Sequence, residues 1–108
     1  MSQSKSKSGF STPDALELRC SGADYLMLGQ YESALEHLSK SQQYEPDNTL
    51  TLRLLADACY MHNQHNNALR NLSRLLQIKP NDTIAFRIAE ELFDIEHASS
   101  KQQPWQNH

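Results

Sequence analysis

Three arginines stand at a constant interval of 34 residues: Arg19, Arg53 and Arg87. A guanidinium is a planar fork of donors, so its natural counterpart is a carboxylate or a row of carbonyls. Other side chains suggest different chemistry. His62 and His65 are separated by two residues, and a pair of imidazoles can begin a zinc site. Here a turn position falls between them, and no cysteine or carboxylate with ligand spacing stands beside them. Glu90, Glu91, Asp94 and Glu96 could serve as paired carboxylates for acid–base work. They crowd one terminal segment with no nucleophile–base pair nearby, which is the pattern of a solvated face. Gly9, Gly22 and Gly29 make no phosphate loop. The residues point to binding rather than catalysis, with no cofactor and no metal expected.

Composition narrows the partner. The chain has 108 residues and a net charge of −3, with 38% hydrophobic residues and 7% aromatics. That length holds one domain, whose core must be built mainly from Leu, Ala and Ile. Residues 15–97 carry 7 Lys and Arg against 12 Asp and Glu. This balance disfavours nucleic acid, which needs a basic patch. No apolar run approaches the ~20 residues of a membrane-spanning helix, so no membrane insertion is expected. Lys5 and Lys7 are not followed by a hydrophobic segment, so no secretory signal is expected. Cys20 and Cys59 read as small buried thiols of a reducing compartment, and the expected location is cytoplasmic.

The elements that position the arginines follow from the same period. Sliding the chain by 34 brings Leu18 onto Leu52, Met27 onto Met61, Ala34 onto Ala68, Leu38 onto Leu72 and Pro46 onto Pro80. A third copy opens at Thr83 and places Phe86, Arg87, Phe93 and Ile95 in register. A period of this length marks stacked helix–turn–helix units. Helices are expected over 13–28, 31–44, 49–62, 66–78 and 83–97. Gly29 and Asn63 supply positive φ between paired helices, and Pro46 and Pro80 end the second helix of each pair. Asp47 or Asn48, and later Asn81 or Asp82, are the candidate caps. Residues 1–12 read as a disordered Ser/Lys-rich tail that closes on the capping pair Thr12-Pro13. Residues 98–108 read as a flexible tail in which Trp105 alone could dock.

The motif Gly22-x2-Tyr25, Gly29-x-Tyr31, Ala34-x3-Leu38 and Pro46 closely resembles a tetratricopeptide repeat. The second unit is looser, with Ala56, Cys59 and Asn63 in place of glycine, tyrosine and glycine. The resemblance implies an all-α fold, a short right-handed superhelix of about five helices. Repeat one spans 15–48, repeat two 49–82, and a half repeat or capping helix 83–97. It also implies a ligand-facing side on the first helix of each copy. Those positions are Leu16, Arg19, Ala23, Leu26 and Met27; then Leu50, Arg53, Asp57, Tyr60 and Met61; then Ile84, Arg87, Glu91, Asp94 and Ile95. Leu18, Tyr25, Leu52, Cys59, Phe86 and Phe93 fall on the side assigned to the core.

The expected site is a groove with apolar walls and an arginine ladder, holding a peptide or amphipathic helix of a partner protein. The rival reading is that each arginine pairs with a nearby Glu or Asp. Family members that clamp acidic C-terminal tails do so from positions matched here by Arg19, Ala23, Leu54, Ile84 and Ile88, of which only Arg19 fits. A small adaptor or chaperone is the implied role. The groove is similar in character to that of small type III secretion chaperones, and a self-associating scaffold is the alternative. Ala85, Ile88 and Leu92 are expected on a terminal interface open to a second copy or a partner's helix, with Phe86, Ala89 and Phe93 packed on repeat two.

Overall fold

The computed structural model describes residues 13–106, with side chains through Ile95. The tail expected over 1–12 and its capping Thr12 lie outside the described residues, as does the side chain of Trp105. Five helices follow one another: α1 (Pro13–Met27), α2 (Tyr31–Tyr44), α3 (Thr49–Met61), α4 (His65–Ile78) and α5 (Thr83–Gln106).

The turns form as the residue types dictate. Gly29 and Asn63 have φ of 78° and 61°. Gln30 N–H donates to Tyr25 O and Gly29 N–H to Leu26 O, the paired bonds that close a helix on a left-handed residue. Gln64 to Cys59 and Asn63 to Tyr60 repeat the arrangement one unit later. The connections between units differ. Glu45 and Lys79 precede prolines, which push them out of helical ψ to 81° in both cases. Asn48 then caps α3 by accepting from Thr51 N–H, and Asp82 caps α5 by accepting from Ala85 N–H.

Small residues set the distance within a pair. Ala34 and Ala68 are fully buried, and a Cβ added to Gly22 would lie 2.5 Å from Leu38 Cγ. Ser41 Oγ donates to Ala15 O at 2.8 Å and ties α2 to the start of α1.

The helix in the middle of the array is buried on two flanks. Leu55 and Ala58 of α3 pack with Ala34 and Leu38 of α2. Leu52, Ala56 and Cys59 pack with Ala68, Leu72 and Leu75 of α4. Among the described residues, the last helix buries the first flank alone. Ala85 and Leu92, at the repeat positions of Thr51 and Ala58, are fully buried in the α3–α4 core, with Ile88 and Ala89 packed against it.

Three expectations are corrected here. Ala85 and Leu92 form no terminal interface, and Ile88 is half-buried beside them; Phe86 and Phe93, placed in the core from the sequence, are exposed instead. The reason is that α5 meets α4 with the flank that α3 turns to α2. The helix also does not stop at His97. It continues to Gln106, because neither Gly nor Asn occupies position 97 and no breaker occurs before Pro104. Finally, Cys59 is buried but Cys20 is exposed, since it lies where Leu54 and Ile88 face a preceding unit.

Candidate functional site

The first helix of each copy presents large apolar side chains at the same two places. Leu16, Leu50 and Ile84 are exposed near the helix starts, and Met27, Met61 and Ile95 are exposed eleven residues on. Eleven residues make about three turns, so both positions lie on one side of each helix. Repeated in each copy, these positions make two sets of exposed apolar residues, or rails, about 16 Å apart along each helix.

The strip between the rails is polar and mixed. Asp57 is half-buried; burial pushes its carboxyl above its ordinary pKa, and the positive charge of Arg53 holds part of that rise back. Glu91 and Asp94 of α5 are exposed. Ala23 is half-buried, and Leu26 is half-buried against the α2 core, so it contributes less to the wall than Met27. Tyr60 is exposed and stacks on His65 with ring centroids 5.7 Å apart.

The arginine ladder does not survive as three equal rungs. Arg19 is only 7% exposed and pairs with Glu45 at 3.5 Å. Arg53 is half-buried and pairs with Asp82 at 2.5 Å. Both therefore follow the rival reading, in which the arginine grips an acid of its own chain. In each case that acid lies in the connection after the second helix of the same copy, where the return of the chain brings it over the first helix. The Asp82 carboxyl is held below its ordinary pKa, first by the Ala85 N–H it accepts and then by Arg53, against some desolvation. Arg87 alone of the three is exposed.

The histidines do not converge. His62 lies 3.8 Å from Glu32 and near the Tyr31 ring, whereas His65 belongs to the Tyr60 stack. Among the described residues no group of three or more metal-ligating side chains forms.

The sequence profile of the tetratricopeptide repeat family matches residues 25–91, more than half of the chain. The five-helix array, its paired turns and this match agree. The chain belongs to the tetratricopeptide repeat family. No curated protein matches the chain. No helix among the described residues is long and apolar enough to cross a membrane.

Repeats of this family are protein-interaction units, and the tetratricopeptide array here has a cleft that the sequence did not reveal. A cleft of about 530 Å³ is lined by α2, α3 and α4, with polar Gln42, Asn67, Arg70, Asn71 and Arg74 beside apolar Leu35. Arg74 is held there by Asp47. The signal was weak because these residues are scattered polar positions on two helices. They become neighbours only when the helices stack.

Proposed function

We propose that the tetratricopeptide array binds a segment of a partner protein, an extended peptide or an amphipathic helix, along the side marked by its apolar rails. The observation that carries this reading is the recurrence of exposed Leu16, Leu50 and Ile84 beside exposed Met27, Met61 and Ile95 in all three copies. Isolated exposed apolar residues need no explanation, but a regular double row on one side of stacked helices does. Unbranched methionines suit such a surface because they repack around different ligand shapes. The half-buried Asp57 supplies an acceptor between the rails for a backbone N–H or a basic side chain.

The role that fits is a small adaptor or chaperone that shields an apolar segment of its client. A subunit held before export is one such client, on the likeness of groove character alone. The unpaired Cys20 and Cys59 support a reducing compartment.

The test is a double substitution, Leu50→Asp with Met61→Asp, in the full chain. Both residues are exposed, so the melting temperature should hold within a few degrees. Recovery of the native partner from lysate, quantified against the parent protein, should fall by roughly tenfold or more. Parental recovery with the fold intact overturns the reading.

A further inference from the structure

The third copy displays, on α5, the two surfaces with which the earlier copies hold the rest of their own repeat. In α3 the first surface is Leu52, Ala56 and Cys59, sealed by Ala68, Leu72 and Leu75 of α4. The second is Arg53, which takes Asp82 from beyond the end of α4, as Arg19 takes Glu45 from beyond α2. One repeat later these positions are Phe86, Glu90, Phe93 and Arg87. Phe86 is 55% exposed where Leu52 is 0%, and Phe93 is 53% exposed where Cys59 is 3%. Arg87 is exposed and makes no ion pair among the described residues.

Among the described residues the chain does not turn back over this surface as it does in the first two copies. There the reversal occurs at Gly29 and Asn63. At the matching His97 the helix continues, running nine residues or roughly 14 Å farther to Gln106.

We propose that this surface docks one helix of a different protein, which completes the third repeat in trans. The chemistry of that helix follows from the two complete copies. It carries apolar residues at the spacing of Ala68 and Leu75, a basic residue between them at the position of Leu72, and an Asp or Glu beyond to meet Arg87. The acid lies four residues past the last of these positions in repeat one, Ser41 to Glu45, and seven in repeat two, Leu75 to Asp82. The middle contact must be basic. Gly22 and Ala56 meet Leu38 and Leu72 with small residues, whereas position 90 is a glutamate, whose carboxylate would be buried unpaired against a leucine and calls for Lys or Arg instead. A second copy of this chain fits less well. Its own α5 would bring Glu90, Glu91 and Asp94 against their counterparts with only Arg87 to offset them, and its Leu72 and Leu75 are already buried.

The experiment uses a labelled synthetic peptide of residues 64–82 carrying Leu72→Lys, titrated into the full-length protein by fluorescence anisotropy. Saturable binding is expected, weakened roughly tenfold or more by Phe86→Ser and by Arg87→Glu in the protein. Asp82→Arg in the peptide should restore binding to the Arg87→Glu protein. The groove variant Leu50→Asp should bind as the parent does, which separates this surface from the rails. Absence of saturable binding, or binding indifferent to Phe86 and Arg87, overturns the proposal. Molar mass across a dilution series supplies the remaining arm: a dimer abolished by Phe86→Ser would make the occupant a second copy and overturn the assignment to a different protein.

Discussion

Arg53 reaches from the middle of the array to Asp82, the residue that caps the following helix, and so ties repeat two to the start of repeat three. One carboxylate thus serves two donors, with Oδ1 accepting from Ala85 N–H and Oδ2 from the guanidinium. The Nε of Arg53 is buried without an acceptor among the described residues, so the contact of this side chain with Asp82 rests on Nη2.

Arg53→Glu is therefore expected to lower the melting temperature, because it sets a negative charge beside both Asp82 and Asp57. Arg87→Glu, at the equivalent exposed position, should leave it within a degree or two. Parallel thermal melts by circular dichroism decide the matter. Equal melting temperatures for the two variants would show that the Asp82 contact contributes nothing.

Asp82→Asn isolates the charge, since asparagine retains the capping geometry. The native carboxyl sits below its ordinary pKa, so its contribution is present above the ordinary carboxylate value of about 4 and is lost as pH falls through the lowered one. The variant should be less stable than the parent at neutral pH, and the gap should close in acid. Melts between neutral pH and about pH 2 test the sign.

Asp57 runs the other way. Its carboxyl is raised by burial, so its favourable contribution exists below the ordinary carboxylate value and is lost as pH rises through the native one. Asp57→Asn should be as stable as the parent or more stable at neutral pH, with the advantage shrinking in acid. A variant that is clearly less stable at neutral pH would mean that attraction to Arg53 outweighs burial.

Gly22→Ala tests the close approach of α1 and α2. The new methyl would meet the fully buried Leu38 at 2.5 Å, an overpacking worth about 1–3 kcal/mol. Alanine's better helix propensity returns up to about 1 kcal/mol. A net loss is expected in chemical denaturation, and it should be smaller in a Leu38→Ala background, where the clash is gone. Ala68→Leu, at a fully buried site between α3 and α4, should likewise cost about 1–3 kcal/mol.

The two cysteines should separate cleanly in alkylation followed by mass spectrometry. Cys20 is exposed and should react in the native state. Cys59 is buried, and burial pushes its thiol pKa up, so it should react only as the protein unfolds.

Much of this architecture is legible from residue types alone. The 34-residue register, the left-handed turns at Gly29 and Asn63, the stops before Pro46 and Pro80 and the tight contacts at Ala34 and Ala68 are local properties. Each depends on what one residue can or cannot adopt. So is the double row of Leu16, Leu50, Ile84 and Met27, Met61, Ile95, because a helical offset of eleven needs no tertiary information.

What only the tertiary structure decided is which neighbour each flank meets. A helix inside an array is apolar on two sides, and periodicity gives both sides the same spacing. Nothing local distinguishes Ala85 and Leu92, which α5 buries on α4, from Phe86 and Phe93, which it leaves exposed. The arginines were ambiguous for a similar reason. Arg19, Arg53 and Arg87 share one position and one chemistry. Their fates diverge because the acids that hold the first two lie 26 and 29 residues away, brought back by a turn that α5, helical through His97, does not make.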